Sequence, residues 1–159
     1  TVEINISMDI PSGEVDWRPN KAWLRKMLRR ILVTRGVDAG TEVSLLVTGQ
    51  ERIRELNRAY LGEDRPTDVL SFPMLAEPSS ATFVVAPDGK KHLGDVIISL
   101  PQAIIQAGEH GHTPEKEIAV LLIHGVLHLL GYDHAEPEEE REMKRLEADM
   151  FDSTAKEIE

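Results

Sequence analysis

The chain contains no cysteine among its 159 residues, which excludes both disulfide bonds and thiolate metal ligands. Any metal site must therefore be built from histidine and carboxylate side chains. Aromatic residues make up only 4% of the chain, so a broad surface for stacking nucleic-acid bases is not expected. No apolar run reaches the roughly eighteen residues of a membrane-spanning helix, and the opening TVEINISMDI predicts a strand rather than a signal peptide.

The chain also lacks the positive net charge that is typical of nucleic-acid-binding proteins, since its formal net charge is −10. The acidic excess is unevenly distributed. Residues 1–80 hold 11 basic and 12 acidic residues, whereas residues 81–159 hold 7 and 16. Residues 17–35 contain seven basic residues and no acidic one. Such a run predicts either a solvated helix face or a local patch that attracts anions, and composition leaves both open.

Three of the six histidines lie in one short segment, HGVLHLLGYDH, which begins at His124. His124 and His128 are four residues apart, so a helix would place both rings on one face. Gly131 can take the left-handed conformation that ends a helix, and the returning chain can bring His134 to the same point. Three imidazoles with one open position are typical of a catalytic rather than a structural zinc site. We therefore predict one zinc ion per chain, bound by these three histidines.

Hydrophobic periodicity and turn residues predict a single α+β domain over residues 1–159. The sheet is expected to be mixed, with about four strands, and to be accompanied by about five helices. Strands are predicted at residues 2–9, 42–48, 82–86 and 93–99, with a short extended segment at 66–73 and a hairpin turn at 87–90. Helices are predicted at residues 20–35, 50–60, 101–109, 113–130 and 138–158. Thr113 and Pro114 have the residue types of a helix start.

The three segments LNRAYLGEDRPTDVLSFP, HLGDVIIS and HGVLHLLGYDH, in this order, resemble the signature segments of the YbeY endoribonuclease (rRNA maturation factor) family. The resemblance extends over nearly the whole chain. It implies a bacterial cytoplasmic protein with a metzincin-like zinc-binding helix. The implied activity is zinc-dependent, single-strand-specific RNA cleavage in 16S rRNA 3′-end maturation and ribosome quality control. The implied partners are the small ribosomal subunit and assembly factors, with no membrane.

Carried over to this sequence, the family's metal ligands fall on His124, His128 and His134, and its remaining motifs include Thr67, Ser71 and Asp95. Thr67 and Ser71 could equally be capping residues. Asp95 lies within an apolar strand and needs a polar partner. With Arg65 as a source of positive charge, the expected catalytic residues are His124, Asp95, Ser71 and Arg65.

The chain departs from the family at two positions. The family usually has an arginine and a lysine where this sequence has Leu61 and Glu63, and that arginine is considered important for cleavage. Arg58 or Arg65 is expected to supply the missing charge. Tyr60 and Phe72 are candidates for stacking on RNA bases, although we expect both to be core residues. His92, His110 and His112 have no predicted role, and His112 is expected to serve local structure.

Two other functional classes fit part of the pattern. Metzincin proteases share the histidine spacing, but they carry a glutamate as general base directly after the first histidine. Gly125 occupies that position here and cannot accept a proton. A non-catalytic ribosome-assembly factor with structural zinc is the other alternative, which the departures at Leu61 and Glu63 favour. The sequence also leaves open whether water or the RNA 2′-hydroxyl is the nucleophile.

Overall fold

The computed structural model contains a four-stranded mixed sheet. It describes residues 2–74 and 91–132 and the single positions 141, 144, 145 and 148. The spatial order is β1-β2-β4-β3. The first three strands in this order are parallel, and β3 is antiparallel to β4 at the edge of the sheet. The strands are β1 (Glu3–Asp9), β2 (Thr41–Thr48), β3 (Val69–Pro73) and β4 (Lys91–Ser99).

Four helices lie within these residues: α1 (Lys21–Thr34), α2 (Gln50–Leu61), α3 (Leu100–His110) and α4 (Pro114–Leu129). The hydroxyl of Thr113 accepts a hydrogen bond from the backbone N–H of Lys116, so the predicted start of α4 is confirmed. Positions 141, 144, 145 and 148 are helical. The other residues of the predicted last helix, the strand at 82–86 and the turn at 87–90 lie outside the described residues. No described helix is long and apolar enough to cross a membrane.

The two faces of the sheet carry separate cores. The main core fills the space between one face and helices α1 and α4, together with the start of α3. A smaller cluster of Ile53, Leu70 and Ile97 lies beneath α2 on the other face, with Phe72 packed against it. Because successive strand residues point to opposite faces, each residue of β3 and β4 belongs to either the α4 side or the α2 side of the sheet.

Candidate functional site

Helix α4 brings two of the three predicted zinc ligands together. Its Nε2 atoms of His124 and His128 are 3.0 Å apart, and the ring centroids are 4.5 Å apart. Both residues are partly exposed on a helix that is otherwise largely buried. A tetrahedral site with zinc–nitrogen bonds of about 2.0–2.1 Å separates its ligand atoms by about 3.3 Å. The two imidazole nitrogens therefore fit two corners of a zinc site, whereas His134 lies outside the described residues.

Helix α4 ends at the glycine that the sequence predicts, while the return of the chain toward the two rings lies outside the described residues. Gly131 has a φ of 98°, and its N–H donates to the carbonyl of His128. The next N–H, of Tyr132, donates to the carbonyl of Leu127. This pair of bonds is a Schellman motif, in which a left-handed glycine satisfies the last helical carbonyls and ends the helix. The hydroxyl of Tyr132 also accepts a hydrogen bond from Arg35, which ties this turn to the end of α1.

Gly125 lies where α4 packs closely on the sheet. A Cβ atom at this position would be 2.7 Å from Cγ1 of Val96 and 3.4 Å from Oγ of Ser71. The Ser71 hydroxyl donates a 3.1 Å hydrogen bond to the Gly125 carbonyl, so strand β3 is fixed to the residue next to His124. The structure thus brings Ser71 to α4, which we call the histidine helix because it carries His124 and His128. The same closeness leaves no room at residue 125 for the glutamate that metzincin proteases carry.

Asp95 lies on the α2 side of the sheet, away from the two histidine rings. Its neighbour Val96 faces Gly125, and strand residues alternate, so the carboxyl points the other way. Asp95 is paired across the sheet with Phe72 and Ser44. Burial raises the pKa of the Asp95 carboxyl, while a hydrogen bond with Ser44 acts in the opposite direction. The expected polar partner is therefore Ser44, and the structure does not bring Asp95 together with His124.

Arg65 lies in the loop between α2 and β3, where a buried side chain anchors its backbone. The amide of Asn57, which is 2% exposed, donates to the Arg65 carbonyl at 2.9 Å. The Arg65 guanidinium donates twice to one carboxylate oxygen of Glu63, at 3.0 and 3.1 Å. Arg65 is 73% exposed, so this charge is accessible but already paired. Glu63 thus offsets the positive charge of Arg65 at this loop.

Tyr60 is exposed, so the expectation that it is a core residue was wrong. Its side chain lies at the end of α2 and is 70% exposed. The ring of Phe72 lies 5.3 Å away, centroid to centroid, and is itself partly buried against the smaller core, as expected. Among the described residues, α2 packs on this face of the sheet and leaves the Tyr60 end of the helix exposed. The two rings form an accessible aromatic pair.

Asp68 lies in the segment that resembles the family's motif, and the structure shows that it anchors the start of β3. One carboxylate oxygen accepts hydrogen bonds from the Val69 N–H and the Thr67 hydroxyl, and the other accepts from Gln106 of α3. Its backbone carbonyl accepts from the N–H of Ser99. Asp68 therefore fixes the start of β3, and Thr67 acts with it as a capping residue. The sequence signal was the polar Thr-Asp pair that follows Pro66.

A second group of potential metal ligands lies at the turn between α3 and α4. His110, His112 and Glu117 could hold a metal ion, because one ligand atom from each lies within 4.8 Å of the others. The Glu117 side chain is 4% exposed, and its hydrogen bond to His110 raises the pKa of that imidazole. Sequence reasoning left both histidines without this role. Their spacing around Gly111, with an acid in the first turns of the next helix, was the available signal.

Comparison with known proteins identifies one endoribonuclease family. The family model described as Endoribonuclease YbeY matches residues 5–155. An Endoribonuclease YbeY from Dehalococcoides mccartyi (strain CBDB1) is 47% identical over 148 residues, covering 90% of this chain and 87% of the relative. Another, from Bacillus cytotoxicus, is 44% identical over 120 residues, covering 76% of this chain and 77% of the relative.

A solved structure has the same fold. The solution structure of a Thermotoga maritima protein aligns with a TM-score of 0.58 at 28% identity, covering 93% of this chain and 86% of that one. The predicted α+β class with a four-stranded mixed sheet is confirmed. With the family model spanning nearly the whole sequence, the chain belongs to the YbeY endoribonuclease family.

Proposed function

We propose that this chain is a zinc-dependent endoribonuclease that cleaves single-stranded RNA. Its natural substrate is 16S rRNA, in 3′-end maturation and ribosome quality control, at the small subunit in the cytoplasm. The observation that carries the proposal is the convergence of the His124 and His128 Nε2 atoms in a member of an endoribonuclease family. The catalytic domain spans residues 1–159.

His124, His128 and His134 would hold one zinc ion at the catalytic centre. When bound, zinc polarises a phosphoryl oxygen and lowers the pKa of water to about 7, which supplies a nucleophile without a separate general base. That chemistry is compatible with glycine at residue 125. In this proposal Ser71 is a positioning residue, because its hydrogen bond to Gly125 sets the distance between the histidine helix and the edge strand.

The α2 side of the sheet supplies the groups proposed to bind RNA. Tyr60 and Phe72 offer an accessible aromatic pair on which an unpaired base can stack. Arg65 is exposed on the loop that follows Tyr60, where it can contact a phosphate. Asp95 is the cross-strand neighbour of Phe72, so we assign it to substrate positioning on this face rather than to orienting a histidine ring.

The metalloprotease alternative loses support from the packing of α4. A protease base would have to occupy residue 125, where a Cβ would lie 2.7 Å from a methyl group of Val96.

Metal removal distinguishes the assembly-factor alternative from the proposed catalytic function. A structural zinc ion contributes folding free energy, so its loss should unfold the domain, whereas loss of a catalytic ion should mainly abolish cleavage. Circular dichroism before and after chelation distinguishes the two.

The test of the proposed activity is cleavage of a single-stranded RNA by zinc-quantified protein, with His128→Ala beside it. Wild type should cleave and His128→Ala should not. His92→Ala is the matched control, because His92 pairs with Glu42 on the sheet and belongs to neither histidine cluster. Equal cleavage by wild type and His128→Ala would contradict the proposal. A 2′,3′-cyclic phosphate product would identify the RNA 2′-hydroxyl as the nucleophile.

A test of Arg65 needs a second arginine with similar exposure and pairing as its control. Arg18 is unsuitable, since it donates a hydrogen bond to the Ile10 carbonyl and its loss would disturb the fold. Arg52 is better matched: it is 55% exposed and paired with Glu55. Arg65→Ala should weaken RNA binding and reduce the slope of log affinity against log salt by about 1. Equal effects of Arg65→Ala and Arg52→Ala would remove Arg65 from the site.

A further inference from the structure

The turn between α3 and α4 gathers two histidines around one buried carboxylate. Helix α3 ends at His110, Gly111 reverses the chain in the left-handed conformation, and His112 directly precedes the cap of α4. The Nδ1 atom of His110 is 2.9 Å from Oε1 of Glu117, and the Nδ1 atom of His112 is 3.3 Å from the same oxygen. We call these three residues the α3–α4 corner.

The distances in the α3–α4 corner suit a transition-metal ion. Zinc bonds to histidine nitrogen and carboxylate oxygen are about 2.0–2.2 Å long, so tetrahedral ligand atoms lie about 3.3 Å apart. The two measured distances of 2.9 and 3.3 Å are close to this value, and all three ligand atoms lie within 4.8 Å of one another.

The three ligands of the α3–α4 corner differ in burial: Glu117 is buried, and the two histidines are accessible. The Glu117 side chain is 4% exposed, whereas those of His112 and His110 are 35% and 53% exposed. A buried carboxylate must be compensated by hydrogen bonds or positive charge, and the groups facing this one are the two imidazoles. The carboxylate is thus held in place, while the open side can admit an ion together with the water molecules that complete its coordination.

We propose that His110, His112 and Glu117 bind a divalent transition-metal ion, with Zn²⁺ as the probe, at a site separate from the catalytic centre. Two imidazole nitrogens and one carboxylate oxygen are ligands that zinc accepts readily. Glu117 precedes His124 by seven residues of α4, which is about 10 Å along the helix axis. The two sites share no ligand. An ion in the corner would connect the end of α3 to the first turns of the helix that carries His124 and His128.

The test is zinc titration of the full chain after chelator treatment, followed by calorimetry or by competition with a chromophoric chelator. Wild type should bind two equivalents. His110→Ala and His128→Ala should each bind one, and the double variant none. His92→Ala is the control and should bind two. Because His110 is largely exposed, its replacement should leave the circular dichroism spectrum unchanged. Full wild-type stoichiometry in both His110→Ala and His112→Ala would overturn the proposal.

A residue-specific measurement separates the corner from the catalytic centre. In ¹⁵N-histidine spectra of the His128→Ala protein, Zn²⁺ should shift the Nδ1 resonances of His110 and His112. Unshifted resonances at millimolar zinc would mean that the corner is only a hydrogen bond between His110 and Glu117 with His112 beside it, and the proposal would fail. This result is independent of RNA cleavage. His110→Ala should still cleave at saturating zinc if the proposed function holds, and failure of wild type to cleave would refute that function alone.

Discussion

Replacing Gly125 by alanine is expected to destabilise the protein, although alanine is the better helix former. The added Cβ would lie 2.7 Å from Cγ1 and 3.2 Å from Cγ2 of Val96, closer than ordinary van der Waals contact. Overpacking of a core typically costs about 1–3 kcal/mol, whereas exchanging glycine for alanine within a helix stabilises by about 1 kcal/mol. The free energy of unfolding should therefore fall by up to about 2 kcal/mol.

Urea unfolding of the metal-free protein can show whether packing or helix propensity determines the effect of Gly125→Ala on the free energy of unfolding. Two further variants serve this purpose. Gly108 is also helical, in α3, but no heavy atom lies within 4 Å of its added Cβ. Gly108→Ala should therefore stabilise by about 0.5–1 kcal/mol. In a Val96→Ala background, which removes the colliding methyl groups, Gly125→Ala should become neutral or stabilising. A coupling free energy of at least about 1 kcal/mol between positions 96 and 125 is expected.

The reasoning would be refuted if Gly125→Ala stabilised the wild-type protein as much as Gly108→Ala does, since α4 would then not contact the sheet at this point. Gly125→Ala should affect zinc affinity and RNA cleavage to different extents. His124 and His128 lie on the same helix, so their mutual distance should survive a small displacement of α4. The position of both relative to Ser71 should change. RNA cleavage is therefore expected to fall more than zinc affinity.

Three further outcomes are expected. Burial raises the pKa of Asp95 above its ordinary value of 3.8, so the folded state binds the proton more tightly and stability falls as pH rises through this window; Asp95→Asn should flatten that dependence in acid-range unfolding. Glu63→Gln should release Arg65 and strengthen RNA binding, most at low salt, and an unchanged affinity would count against Arg65. Tyr60→Ala should change stability by less than about 0.5 kcal/mol, because the side chain is exposed, yet weaken RNA binding by about 1–3 kcal/mol if a base stacks there.

Local signals predicted the histidine helix well. Thr113 and Pro114 mark its start, and Gly131 marks its end, because caps depend on hydrogen bonds and backbone conformations within a few residues. The i, i+4 spacing of the two histidines likewise needs only helical geometry. These features are short-range, so the sequence alone predicted them, and the rings lie together as expected.

Long-range placement was not predictable in the same way. Whether Asp95 faces α4 or α2 depends on the register of β4 against its neighbours and on which helix covers which face. The exposure of Tyr60 depends on how far α2 covers the sheet. The α3–α4 corner required knowledge that Gly111 reverses the chain tightly enough to bring His110 onto Glu117, which sequence spacing alone does not give.

Gly125 also explains how one histidine spacing can serve different chemistries. A helix that carries His-x3-His needs only its outer face for metal binding, so the residue between the ligands is free to serve packing or catalysis. Here it serves packing: the absence of a side chain lets α4 approach Val96 and lets Ser71 bond to the backbone beside His124. Close packing at this position disfavours a protease-type base, so the nuclease proposed above would take its nucleophile from metal-activated water or from the RNA itself.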